Sequence, residues 1–247
     1  MRRIAVINYK GGTGKTTTTL NIAYALSIKS YKVLILDIDP QGSASFFCNQ
    51  KPKYNLYDIL IEDVPVEKCI QPLRHNLDII CSNERVFPAE IKMSNMPERE
   101  LILRKKFESL RNYDFILIDC PPSMNLLNQN ALIFADELLL PVSMEYLSLI
   151  GVKQLLKNIK IINRIFYKGL SITGVIPTFY DNRNKKSKDI LRSLKRVFSN
   201  VTTSPVRFCN SVSESAGRKK TIFEYDSQSP AAEDFFKITE EILNGKK

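Results

Sequence analysis

Lys10-Gly11-Gly12-Thr13-Gly14-Lys15-Thr16-Thr17 packs three glycines, two lysines and three threonines into eight residues. Glycine admits backbone conformations closed to other residues and lets the chain approach an anion closely. If a helix starts at this run, its free amides and its dipole point at the same anion. Lys15 then supplies charge to the β and γ phosphates of a nucleotide, and the Thr16 hydroxyl is placed for Mg²⁺. Three acids complete the set. Asp119 closes the apolar run Phe115 to Ile118, and Asp37 and Asp39 close Val33 to Ile38. Asp119 suits a carboxylate that holds Mg²⁺ through water, a helix cap being its alternative. Two carboxylates such as Asp37 and Asp39 beside a triphosphate are costly unless metal, lysine or water compensates. A purely structural role is the alternative for Asp37.

These residues need a scaffold that brings them together. Ile4 to Asn8, Val33 to Asp37, Leu77 to Cys81, Phe115 to Asp119, Glu137 to Val142 and Ile172 to Thr178 are short apolar runs. Helical patterns fall at Lys15 to Ile28, Pro97 to Leu110, Leu147 to Phe166, Ser187 to Phe198 and Pro230 to Leu243. Continuous apolar strands alternating with helices predict an α/β fold, a mostly parallel twisted sheet covered on both faces. Ligands bind at the carboxyl ends of such strands, where Asn8, Asp37, Asp119 and Thr178 stand. No repeat, low-complexity segment or linker interrupts the 247 residues, so one domain over 1–247 is expected.

Composition removes other classes. Hydrophobic residues at 44% and charged residues at 25% exclude a disordered chain or a fibre. No apolar run approaches the ~18 residues of a membrane span. Ile4 to Ile7, after Arg2 and Arg3, is too short for a secretory signal. The five cysteines are widely spaced with no C-x-x-C, so they read as small buried hydrophobes in a reducing cytosol. His75 is assigned no role. The net charge of +10 is unevenly placed: residues 1–150 hold 17 basic and 17 acidic side chains, residues 151–247 hold 19 and 9. This predicts a polyanion partner for the C-terminal part, nucleic acid or a membrane surface, a merely solvated basic surface being the alternative. Arg183, Lys185, Lys186, Lys188, Arg192, Lys195 and Arg196 form one cluster, and Arg218, Lys219 and Lys220 another. In the first, Ile190, Leu191, Leu194, Val197 and Phe198 recur at helical spacing and leave the cations on the other side. No base-reading motif accompanies them, which favours sequence-independent contact with DNA phosphates over base readout.

The phosphate loop departs from the usual pattern: Tyr9 stands where its first glycine belongs, and Lys10 follows. In this, Lys10 to Thr17 resembles the deviant Walker A motif of the ParA/MinD group of P-loop ATPases. Ile35-Leu36-Asp37-Ile38-Asp39-Pro40-Gln41-Gly42 resembles the second block (Walker A′) of the ParA (Soj) branch. Phe115 to Ser123 resembles its Walker B, and Leu138 to Val142 with Glu145-Tyr146 the strand and turn that follow. Val206 to Val212, before Ser213-Glu214, departs from the Pro-Arg-Asn-Val-Arg-type run common there.

The resemblance implies an ATPase using ATP and Mg²⁺, slow unless a partner stimulates it. Gly11, Gly12, Thr13, Gly14, Lys15, Thr16 and Thr17 would hold the phosphates. Asp39 would position the attacking water, and Asp37 would join Thr16 and Asp119 in supporting Mg²⁺. Lys10 would reach the partner's nucleotide in a face-to-face homodimer glued by ATP. The adenine would lie near Thr178, Phe179, Arg207 and Phe208, although Phe179 could equally be core. The resemblance further implies non-specific binding to double-stranded DNA, a ParB-like stimulating partner, and chromosome or plasmid partitioning in the cytoplasm, on the nucleoid. The alternative is a MinD- or McdA-like ATPase that positions a protein complex over the nucleoid or a membrane. A membrane role needs a basic amphipathic helix. The last helix instead carries Glu233, Asp234, Glu240 and Glu241, so no membrane partner is expected. An iron–sulfur relative would need two cysteines after Walker B, and Cys120 is alone there.

Overall fold

The computed structural model describes residues 1–48 and 51–245. The strands are β1 (Arg2–Val6), β2 (Val33–Asp37), β3 (Ile70–Arg74), β4 (Leu77–Ile80), β5 (Phe115–Asp119), β6 (Glu137–Ser143) and β7 (Ser171–Thr178). They form one sheet in the order β3-β4-β2-β5-β1-β6-β7. Every pairing is parallel except β3 with β4, which is antiparallel. In chain order the helices are α1 (Lys15–Ile28), α2 (Leu56–Ile61), α3 (Val66–Cys69), α4 (Val86–Ser94), α5 (Ile102–Lys106), α6 (Leu126–Phe134), α7 (Tyr146–Ile165), α8 (Lys185–Val197), α9 (Asn210–Gly217), α10 (Ile222–Tyr225) and α11 (Pro230–Asn244).

Two apolar clusters lie one on each side of the sheet. Alternation along a strand sends Ala5, Leu34, Leu36, Ile116 and Ile118 to one side, where α2, α4, α5, α6, α7 and α8 cover them. It sends Ile4, Val6, Val33, Ile35 and Leu117 to the other, under α1, α10 and α11. Burial on both faces is why the central strands read as unbroken apolar runs. No helix among the described residues is long and apolar enough to cross a membrane.

Several expectations shift. The first strand ends at Val6, which frees Ile7 and Asn8 to begin the turn into the phosphate loop. The helix expected over 97–110 is a 3-10 turn at Arg99–Leu101 followed by the short α5. Glu98 enters this turn in the left-handed region at φ 50°, so no regular helix runs through it. On α8, Ile190 and Leu194 are buried as the periodicity predicts, but Val197 at the end of the helix is 67% exposed. The edge strand β3 went unpredicted because Pro72 and its half-exposed residues mask its pattern.

Candidate nucleotide site

Parallel pairing fixes the site before any side chain is considered. In the β2–β5 register Asp37 stands opposite Asp119, and in the β1–β5 register Val6 stands opposite Asp119. The chain leaving β1 therefore passes directly beside Asp119, with Asp37 one strand further on. Asn8 anchors its turn: its amide donates to the Pro141 carbonyl at 2.7 Å, and its side-chain oxygen accepts from the Lys10 amide at 3.0 Å. Tyr9, at the position where a glycine is usual, packs against the core, and its hydroxyl accepts from Asn158 of α7 at 2.9 Å. Gly12 and Gly14 take φ of 70° and 85°, which closes the loop onto the start of α1. A β-carbon on Gly11 or Gly12 would meet nothing within 4 Å, so the backbone there faces an open cradle.

Lys15 is only 7% exposed, and its ammonium donates to the Lys10 carbonyl at 3.2 Å. Burial pulls its pKa below the ordinary value, with Asp119 acting in the opposite sense. The Thr16 hydroxyl donates to one Asp119 oxygen at 2.7 Å and Thr19 to the other at 3.2 Å. Burial, and then the neighbouring Asp37, raises the Asp119 carboxyl to about 8. Asp37, also raised by burial, to about 6, is tied into its own loop. It accepts from the Ser45 amide at 2.8 Å, the Ser45 hydroxyl at 2.7 Å and the Asp39 amide at 3.1 Å. The structure therefore gives Asp37 a bracing role for the segment that carries Asp39. Ser45, which supplies two of those bonds, escaped the sequence reading because it lies in a three-residue 3-10 turn too short to show a period. Asp39 accepts from the Gln41 amide at 2.9 Å and lines the cavity.

That cavity, about 1320 Å³, runs from Gly11–Thr17 past Asp39 and Ser45 to Cys48, Cys81 and Lys219. It is large enough for a nucleoside triphosphate. Among the described residues no cluster of three His, Cys, Asp or Glu side chains could hold a metal alone. The donors at hand are one hydroxyl, Thr16, and the carboxylates beyond it. This is a hard-oxygen set suited to Mg²⁺, which keeps several waters and binds through few protein ligands together with phosphate oxygens.

The AAA-domain family model matches residues 1–172. The chain is 35% identical to the sporulation initiation inhibitor protein Soj of Bacillus subtilis over 97% of each chain. The chain belongs to the ParA/Soj family of ATPases. It is also 31% identical to the chromosome partitioning protein ParA of Caulobacter vibrioides, over 100% of this chain and 96% of that one. Cobyrinic acid a,c-diamide synthase from Mycobacterium smegmatis, solved with ADP and magnesium, superimposes with a TM-score of 0.85 at 27% identity, covering 99% of this chain and 94% of that one.

In this ParA/Soj family member the lysine at the front of the loop has partners of its own. Lys10 makes a close ion pair with Glu145 and donates to the Ser148 hydroxyl at 3.3 Å. Ser148 in turn bonds Ser143 at 2.6 Å. Lys10 thus projects away from its own phosphate cradle, toward the start of α7. The expected adenine residues separate. The Thr178 hydroxyl donates to the Thr13 carbonyl at 2.9 Å and ties β7 to the loop. Phe179 and Phe208 are 47% and 62% exposed and flank a second cavity beside Lys10. Phe179 is therefore not core. Arg207 turns away toward α11, where it pairs with Asp234 at 2.8 Å and Glu233 at 2.6 Å.

The basic residues also separate. Lys185, Lys186, Lys188, Arg192, Lys195 and Arg196 are exposed on α8, which follows β7 at one edge of the sheet. Arg183 pairs with Asp181 and Arg192 with Asp189. The second cluster lies by the opposite edge: Arg74 of β3 donates to the Lys219 carbonyl at 3.1 Å. There Arg218 sits over the Tyr225 ring and Lys220 is exposed. Lys219 faces the nucleotide cavity instead, donating to the Cys48 carbonyl at 3.4 Å and lying over the Phe46 ring. The two clusters are not one continuous patch.

Proposed function

We propose that this chain is an ATP- and Mg²⁺-dependent switch that forms a homodimer around ATP, binds double-stranded DNA without sequence preference, and partitions a chromosome or plasmid. The single observation that carries the reading is the arrangement of the two loop lysines. Lys15 is buried in the cradle, where it would neutralise the β and γ phosphates. Lys10 points out of it, where it would meet the nucleotide of a second copy.

Bound Mg²⁺ would neutralise developing charge on the transferred phosphoryl group, held by the Thr16 hydroxyl with Asp119 behind it. Asp39, at the cavity wall, would orient the attacking water. Asp37 and Ser45 would hold the Asp39 segment in place. Phosphoryl transfer needs mostly positioning and charge neutralisation, and Lys10 would bring the last positive charge only in the dimer. Hydrolysis would therefore be slow until dimerisation and a ParB-like partner complete the site. The exposed cations of α8 would touch DNA phosphates on the nucleoid once two copies present them together.

The test is sedimentation and DNA binding of the same protein in ATP and in ADP. The reading expects dimers and DNA binding with ATP and neither with ADP. A monomer in both nucleotides, or DNA binding indifferent to nucleotide, contradicts it.

A further inference from the structure

Two of the five cysteines, 33 residues apart in sequence, meet in the wall of the nucleotide cavity. The sulfurs of Cys48 and Cys81 are 3.1 Å apart, and both thiols are free. Cys48 follows the short 3-10 turn Ser45–Phe47, and Cys81 follows β4. The sheet fixes one partner and the Asp37–Ser45 bracket holds the other. Ser82, next to Cys81, donates its amide to the Ser45 hydroxyl at 2.7 Å. Cys81 is 2% exposed, whereas Cys48 is half-buried and reachable from the cavity. A disulfide needs about 2.05 Å between sulfurs, so closure asks for a movement of about one ångström.

We propose that Cys48 and Cys81 form a thiol–disulfide exchange site in the nucleotide-cavity wall, taking low-molecular-weight disulfides as its substrate class. The Cys48 thiolate attacks one sulfur of the small disulfide. This forms a mixed disulfide at Cys48 and expels one small thiolate. Cys81 then loses its proton and attacks the Cys48 sulfur, which forms the Cys48–Cys81 bond and expels the second small thiolate. Two protein thiols are oxidised, and one small disulfide is reduced to two thiols.

The surroundings assign these roles. The Cys48 thiol lies below its ordinary pKa through its hydrogen bond with Cys81, against burial and Asp37, with Lys219 and Arg74 adding a smaller pull in the same direction as that bond. The same bond, with burial, raises Cys81. An accessible thiol of lowered pKa attacks first, and a buried neighbour resolves the adduct. The other cysteines have no such pairing: burial raises Cys69 and Cys120, and no second sulfur lies against either in the described residues. The bond would strap the turn bearing Ser45 to the sheet without touching the phosphate loop.

The experiment is oxidised glutathione added to the full-length protein, with free thiols then alkylated and mapped by mass spectrometry. The proposal expects two of five alkylation sites to be lost, at Cys48 and Cys81, with no retained glutathione and full recovery on reduction. Cys81→Ser should instead keep one glutathione, at Cys48. The wild-type map decides the matter even if that variant folds poorly. Five alkylated thiols, a persistent wild-type adduct, or a bond between other cysteines would overturn the proposal.

Discussion

Asp37 and Asp119 face each other across β2 and β5, both fully buried, and only Asp119 is bonded to the phosphate-loop helix. Their carboxyls are raised to about 6 and about 8, so the native protein binds protons that the unfolded chain releases near pH 4. The contribution of these two groups to the stability of the nucleotide-free protein should therefore fall as pH rises from about 4 to about 8, and level off above. Asp119→Asn should remove most of that slope. Urea unfolding from pH 5 to 9 should show the variant gaining on the wild type by about 1 kcal/mol or more by pH 8. A constant difference across this range contradicts the assignment.

Lys10 is held by Glu145 and Ser148, outside its own cradle. Lys10→Ala should leave ATP binding to the monomer within a few-fold of wild type and abolish ATP-dependent dimers and turnover. Sedimentation in ATP checks this, and a normal dimer would remove the role in trans.

Asp39 lines the cavity, and among the described residues its carboxylate bonds only the Gln41 amide of its own turn. Asp39→Ala should keep nucleotide binding and the dimer while stopping turnover, so that the protein persists on DNA. Hydrolysis at the wild-type rate would move the water-orienting role elsewhere.

Arg192 and Lys195 are exposed on α8. Replacing both with Ala should weaken binding to two unrelated duplexes equally. It should also flatten the log–log salt slope by up to about 0.9 per lost phosphate contact. Fluorescence anisotropy over a salt series reads this directly. An unchanged slope would leave the helix a solvated face.

Local signals in the sequence were enough for the phosphate loop and its strands. Runs such as Ile116 to Ile118 are apolar without interruption because both faces of the sheet are covered, and each of the acidic runs ends at the site. α6 lacked a readable pattern because it is buried almost all round. The surroundings of Ser45, Arg207 and Lys219 are not legible in sequence, since their partners Asp37, Asp234 and Cys48 are settled by tertiary packing. The two basic clusters looked alike in composition, yet the strand order sends them to opposite edges. The cysteine pair was hidden for the same reason: spacing in sequence says nothing of two loops meeting over β4.

Titration calorimetry of Mg²⁺–ATP into wild-type and Lys15→Ala protein tests the account most directly. Lys15 is buried and is the proposed counter-charge of the cradle, and removing one partner of a buried ion pair typically costs about 3–5 kcal/mol. The wild type should bind ATP, and the variant should bind about 100-fold more weakly or not measurably. Equal affinity in the two proteins would contradict the phosphate-loop site on which the rest depends.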